Sequence, residues 1–382
     1  MLAELHKALT VSQHPGMDKH LNLPRLMWQG LPFLTSQKGY ARPPLTLYWS
    51  VNSVCNLHCK MCDVGTPNPD SNFFKNLRIN GQRTDIDIGR FKAVIDEVAA
   101  SKPMISITST EPLLYKPLGD AIRHCRERNL DIAITTGAYT LARRAEELVE
   151  AGLTRLNVSI DGPPALHNEI RGRKDSFERS AEGIRLVKEE ARKRNSSIEV
   201  LINFTITNSN YDQLVAFMDC LGDLPVDRVN FSYMNYVTRD MAGVHNAIWG
   251  DRYKATVNCL NEETSPDRVK VDVLCAQLAE LKARGDKRVA VLPELSREEL
   301  EIFHYQPQRF LSSQRCMVSW FIGQIIANGD VIPYTRCYYI PFGNINEQPF
   351  MEIWNGEKMR AWRQDLRKHK RFPACTRCDQ CF

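Results

Sequence analysis

The stretch Cys55-Asn-Leu-His-Cys59-Lys-Met-Cys62 decides how the rest of the chain is read. Three cysteines spaced C-x3-C-x2-C stand in one loop, directly behind an apolar run (Leu45, Leu47, Tyr48, Trp49, Val51) that reads as a buried strand. A cubane [4Fe–4S] cluster has four iron corners and takes thiolates as its usual ligands. Three close cysteines cap three corners from one short loop and leave the fourth iron open to a small molecule. A zinc knuckle is the plain alternative, but it needs a second pair nearby, and the next cysteine, Cys125, lies far downstream.

Composition narrows the setting. At 382 residues and 43% hydrophobic, the chain suffices for one large core and a smaller module. No run of about 18 or more apolar residues occurs and no secretory segment opens the sequence, so the expectation is a cytoplasmic protein without a membrane span. The formal charge of +5 is mild, and no dense basic tract accompanies exposed aromatics, so no nucleic-acid partner is indicated. The cysteines cluster at 55–62 and 316–381, which in a chain of this length points to metal rather than disulfides. Cys125, Cys220, Cys259 and Cys275 fall elsewhere and read as small core residues.

Upstream of the triplet, residues 1–44 form an N-terminal extension with a short helix around 23–34. It is too short for a leader-peptide-binding domain. Downstream, residues 63–85 carry Pro67, Pro69 and Gly81 and read as a long loop at a strand end, either a lid or a solvated insertion. From there strands and helices alternate. Phe91, Val94, Ile95 and Val98 recur at helical spacing, and strands follow at 104–107, 131–135, 155–161, 198–207 and 228–233 with helical stretches between them. That order implies parallel pairing, so the spacing predicts an α/β fold, an open barrel of six units over 45–236. Residues 237–315 read as a helical connector, with helices at 271–283 and 297–303. In the last part, 316–382, Cys316 precedes an apolar strand over 318–327, a tight turn at Asn328-Gly329-Asp330 and a return strand to Cys337. A helix at 359–366 and the terminal Cys375-Thr-Arg-Cys378-Asp-Gln-Cys381 complete it.

The triplet resembles the signature of the radical S-adenosylmethionine superfamily, with Met61 where the family usually has an aromatic residue. The resemblance implies a partial (β/α)6 TIM barrel and a [4Fe–4S] cluster on Cys55, Cys59 and Cys62 that binds S-adenosylmethionine at its open iron. It further implies reductive cleavage to a 5′-deoxyadenosyl radical that takes a hydrogen atom from substrate, with electrons from a flavodoxin or ferredoxin-type reductant. Barrel sites assemble at the C-terminal strand ends, and further motifs stand there. Ser109-Thr110-Glu111-Pro112 is similar to the family's Gly-Gly-Glu-Pro, which implies that Glu111 receives the cofactor ammonium. Thr135-Thr136-Gly137 is similar to the Thr-Asn-Gly turn and brings Thr136 to the cofactor. Ser159-Ile-Asp161-Gly162 matches Ser-x-Asp-Gly, with Ser159 and Asp161 toward the ribose hydroxyls. Arg171, within His167-Asn-Glu-Ile-Arg171-Gly172, resembles the arginine that pairs with the cofactor carboxylate, a task suited to a guanidinium fork. Asn203, Thr205 and Thr207 share one face of their strand and line the pocket if that face points inward. Tyr233, Asn235, Tyr236 and Arg239 are candidates for contact with substrate.

The C-terminal part resembles the twitch module, the shortened SPASM domain, with Gly343-Asn344-Ile345 and Ile353-Trp354-Asn355 as landmarks. The resemblance implies one auxiliary [4Fe–4S] cluster on four of Cys316, Cys337, Cys375, Cys378 and Cys381. A structural zinc would also accept four thiolates. The expected reaction is hydrogen abstraction from a polar small molecule such as a sugar or aminocyclitol, ending in dehydrogenation, epimerisation or dehydration in natural-product biosynthesis. Maturation of a ribosomal peptide and a non-catalytic iron–sulfur electron carrier are the alternatives.

Overall fold

The computed structural model describes residues 23–78 and 83–378. Cys381, Gly81 and residues 1–22 lie outside them.

One sheet runs through the molecule. Its strands are β1 (Thr46–Trp49), β2 (Met104–Ile107), β3 (Ile132–Thr136), β4 (Arg155–Ser159), β5 (Glu199–Ile206), β6 (Arg228–Tyr233), β7 (Val289–Leu292), β8 (Ile322–Ile325), β9 (Asp330–Ile332) and β10 (Gly343–Asn344). Their spatial order is β10-β9-β8-β1-β2-β3-β4-β5-β6-β7. Strands β1 to β7 are parallel neighbours, and β8 joins β1 in parallel with Thr46 opposite Ile322. Only β9 runs against the others, pairing antiparallel with β8 on one side and β10 on the other. The expected α/β partial barrel is present.

Helices cover the outer face where apolar residues recur every three or four positions. The helix Ile88–Val98 starts at Asp87, whose carboxylate accepts the Arg90 N–H at 2.9 Å. It buries Phe91, Val94, Ile95 and Val98, and the Phe91 ring sits 4.6 Å from that of Trp49 on β1. Each such side chain contributes about 1.5–3 kcal/mol on burial.

A parallel strand covered on both faces is ordinarily apolar throughout, but β4, β5 and β6 alternate. Leu156, Val158, Ile202, Phe204, Val229 and Phe231 are buried. Their neighbours Asn157, Ser159, Asn203, Thr205, Asn230 and Ser232 face an internal cavity instead. Ser159, Asn203 and Asn230 lie directly opposite one another in register.

Several expectations differ from the structure. The return strand β9 ends at Ile332, and Cys337 stands in a turn beyond it. Residues 237–315 are not only helical, because Val289-Ala-Val-Leu292 forms β7 beside β6; it stands in a charge-rich stretch with helical spacing at 271–283 and 297–303 on either side. The stretch 63–85 is not a plain loop. It holds the helix Asn72–Leu77, whose Phe73 is buried and whose Asn76 donates to the Thr335 carbonyl at 2.8 Å. The apolar run 318–327 begins as a helical turn, Val318–Phe321, before β8. Among the described residues no helix is long and apolar enough to cross a membrane.

Candidate functional site

The cysteine loop is held by the chain end of the helix Pro164–Arg171. The Arg171 and Ile170 carbonyls accept the His58 and Lys60 N–H groups at 3.1 and 3.0 Å. Arg173 donates twice to the Asn56 carbonyl, at 3.0 and 2.8 Å. Glycine permits this contact: Gly172 ends the helix at φ +67°, and a Cβ there would lie 2.8 Å from the His58 Cβ. Gly65, in the cysteine loop itself, leaves room for the Cys59 backbone.

Cys55, Cys59 and Cys62 open together into a cavity of about 840 Å³. Burial, with Glu111 and the other thiols adding to it, pushes the Cys55 thiol up to about 12. Cys59 is pushed up to about 11 by burial, against the pull of Arg171, whose Nη1 stands 3.4 Å from its sulfur. Metal ions invert this logic, since a coordinating thiol gives up its proton outright.

Arg171 lines the cavity with Asp161 directly behind it. Asp161 is fully buried, pairs with the guanidinium and accepts the Thr205 N–H at 2.9 Å. Burial opposes the Arg171 charge, but Asp161 and Cys59 more than offset it and its pKa is raised. Asp161 is therefore not among the residues on the cavity wall, unlike Ser159 two positions earlier. Its strand-end backbone points its carboxylate to the arginine rather than to a ligand.

Glu111 is buried, and its carboxylate is occupied by the chain. Oε1 accepts from the Thr136 hydroxyl at 2.6 Å and the Leu113 N–H at 3.0 Å, and Oε2 accepts the Gly137 N–H at 3.0 Å. It thereby ties the loop after β2 to the turn after β3. Thr136 and Asn203 also border the cavity, Asn203 accepting from the Asn230 amide at 3.1 Å. Thr207 does not; it closes a local turn with Asn210. Tyr233 and Asn235 line the cavity, whereas Tyr236 turns away and donates to the Phe303 carbonyl at 2.7 Å. Arg239 begins the helix Arg239–Trp249 and is not on the wall. Met61 is on it.

Ser109, standing where the family has glycine, adopts φ +84°. A left-handed L-residue costs about 1–2 kcal/mol, while its hydroxyl contact to Thr335, at 3.3 Å, is worth about 1 kcal/mol at most. Ser109→Gly is expected to stabilise the fold by up to about 1 kcal/mol, and Ser109→Ala to destabilise it by about 0.5–1 kcal/mol. Urea unfolding midpoints check this; shifts of the same sign would contradict it.

The second cysteine set draws together three separated segments. Cys316 is buried; Cys337, Cys375 and Cys378 are half-buried and line a cavity of about 40 Å³. Burial, then Cys378 and Cys316, push the Cys375 thiol up to about 12. Asn235 and Arg336 line both cavities, so the two sites abut there. Each set brings cysteine thiols together at a cavity wall, and thiolates are the usual ligands of an iron–sulfur cluster, so the donor set fits such a group. Cys55, Cys59 and Cys62 would hold one cluster, and Cys316, Cys337, Cys375 and Cys378 the other.

Several residues escaped the sequence reading. Gln324, Tyr334, Thr335 and Arg336 reach the cavity from β8 and its hairpin. Cys259, read as a core residue, is buried at φ +57° and joins the two cysteine loops. Its N–H donates to Asp63 at 3.0 Å and its sulfur takes Arg336 Nη1 at 2.6 Å. The polar alternation Arg155, Asn157, Ser159 was the available signal for the wall, since a strand hidden on both faces has no other reason for it.

Comparison with known proteins covers the stretches that hold both cysteine sets. The radical SAM superfamily profile matches residues 49–221, and an iron–sulfur cluster-binding domain, SPASM, matches 316–381. Over 355 residues the chain is 26% identical to pre-heme d1 synthase of Dinoroseobacter shibae, spanning 89% of this chain and 79% of that protein. It is 25% identical to Fe-coproporphyrin III synthase of Methanosarcina barkeri, over 80% of this chain and 72% of that protein. SuiB of Streptococcus suis, solved with S-adenosylmethionine, superposes with a TM-score of 0.58 at 16% identity, over 95% of this chain and 77% of its own. The two profile matches, one on each cysteine set, show the family: the chain belongs to the radical SAM superfamily of enzymes, carries a SPASM domain, and has S-adenosylmethionine, its [4Fe–4S] cluster and an auxiliary cluster as cofactors.

Proposed function

We propose that this enzyme removes a hydrogen atom from a polar small molecule, a sugar, an aminocyclitol or a similar natural-product precursor, and that dehydrogenation is the outcome. One observation carries the reading: a cavity that begins at the cysteine triplet bears, among apolar and charged neighbours, a band of amide and hydroxyl side chains from β4, β5 and β6, and abuts the second thiol set at Arg336. When bound, the cofactors supply a hydrogen-atom acceptor at the first cysteine set and an electron acceptor at the second. The chain's own part is to bind and orient. Asn157, Ser159, Asn203 and Asn230 offer short polar groups to hydroxyls and amines, Arg171 holds an anionic group beside Cys59, and the enclosing barrel limits water. A flavodoxin or ferredoxin-type protein is the proposed electron donor.

The test is anaerobic turnover with candidate polyols and amino sugars deuterated at single carbons. Label in 5′-deoxyadenosine together with a product two mass units lighter than the undeuterated substrate supports the proposal; unlabelled 5′-deoxyadenosine with every candidate counts against it. A second reading is a carboxylated tetrapyrrole, favoured because two relatives named for such chemistry align over most of their length. Adding coproporphyrin to the protein separates the two, since saturable perturbation of the porphyrin spectrum supports the second only. The ribosomal-peptide alternative has fold likeness alone behind it.

A further inference from the structure

Tyr338 directly follows Cys337, and its ring is stacked on His245, with centroids 4.8 Å apart and planes 20° from parallel. Both side chains are buried, and the rings of Tyr253, Trp362 and Phe372 pack around Tyr338. In such an enclosure each polar atom must find its partner within the protein.

The hydrogen positions follow from the partners. His245 Nε2 lies 2.5 Å from the Tyr253 carbonyl oxygen. A carbonyl can only accept, so Nε2 carries the ring hydrogen. Burial lowers the His245 pKa and keeps the ring neutral, which leaves Nδ1 as a bare acceptor. The Tyr338 hydroxyl stands 3.4 Å from that Nδ1 and 3.8 Å from Cys375 Sγ. It has one proton and two acceptors.

We infer that the Tyr338 hydroxyl, shared between His245 Nδ1 and Cys375 Sγ, is the hydrogen-bond donor that sets the reduction potential of the auxiliary cluster. Hydrogen bonds to ligating sulfurs raise a cluster's potential because they favour its more negative, reduced state. In the oxidised state the imidazole competes well for the proton. An added electron makes the Cys375 sulfur the stronger acceptor, and a rotation of the hydroxyl about its C–O bond delivers the hydrogen bond without any proton leaving the tyrosine. Tyr338 acts through Cys375 and is therefore a positioning residue. The inference rests on Cys375 as a cluster ligand and is independent of the substrate proposed above.

The experiment is a potentiometric titration of the full chain, anaerobically reconstituted and followed by electron paramagnetic resonance, with the N-terminal cluster as internal reference. Tyr338→Phe is expected to move the auxiliary midpoint to more negative potential and leave the reference unmoved. His245→Phe keeps a stacked ring but removes the competing acceptor, and is expected to move the same midpoint to more positive potential. An unmoved midpoint in Tyr338→Phe, or shifts of one sign in both variants, would overturn the inference. Should Tyr338→Phe fail to retain its second cluster, the unmodified protein decides. An exchangeable proton strongly coupled to the reduced auxiliary cluster in electron–nuclear double resonance supports the inference, and its absence overturns it. Iron content of Cys375→Ala separates this from a misassigned ligand, since unchanged iron would remove the premise rather than the hydrogen bond.

Discussion

Cys59→Ala is expected to abolish 5′-deoxyadenosine formation, whereas Cys316→Ala leaves cleavage of S-adenosylmethionine measurable and stops product. The asymmetry follows from position. Cys59 is buried in the loop braced by residues 170–173, and its sulfur faces both the cavity and Arg171. Among the described residues three thiols line that part of the wall, and the loss of one removes a thiolate ligand from the cluster they would hold. Cys316 stands instead with Cys375 and Cys378 on the far side of Arg336. Its loss leaves the first loop intact. Chromatography of 5′-deoxyadenosine and product after dithionite reduction checks both variants; equal loss of cleavage in the two would show that the roles are misassigned.

The second large effect concerns the buried ion pair. Arg171→Met is expected to destabilise the protein by about 3–5 kcal/mol, the usual result of leaving one buried charge without its partner. Asp161 is completely buried, and apart from Arg171 its carboxylate has the Thr205 N–H. Asp161→Asn in the Arg171→Met background removes the stranded charge, so the double variant should regain more than half of the loss. Denaturant unfolding of the four proteins gives the coupling directly; losses that simply add would contradict the pairing. Both arginine variants should also bind S-adenosylmethionine more weakly, because the guanidinium stands on the cavity wall 3.4 Å from the Cys59 sulfur.

These residues show which parts of the site could be read from the chain. The triplet was legible because three ligands fall within one loop, and the alternation of helix and strand periods was regular enough to give the barrel. The Arg171 position was legible as a motif, but its working partner was not. Asp161 looked like a ligand-facing group because sequence does not show which way a strand-end carboxylate turns. Glu111 was visible, but its three chain donors were not, since Thr136 and Gly137 come from another loop. Long-range contacts hid the rest. Arg336, Cys259 and Asp63 meet from three distant segments, and each taken alone reads as an ordinary surface or core residue. The seventh strand was lost for a different reason: it lies in the charge-rich stretch 237–315, where the helical spacing at 271–283 and 297–303 on either side set the reading of the whole.

The parallel pairing of β8 with β1 joins strands some 276 residues apart in sequence. Trimming the C-terminal third would strip the backbone partners from one side of Thr46–Trp49 and bare a sticky border ready to recruit other chains. The auxiliary segment therefore cannot be grafted or exchanged as a detachable accessory. Diversification of the reaction must proceed through the loops that rim the cavity, while the seam between the chain's two ends stays closed.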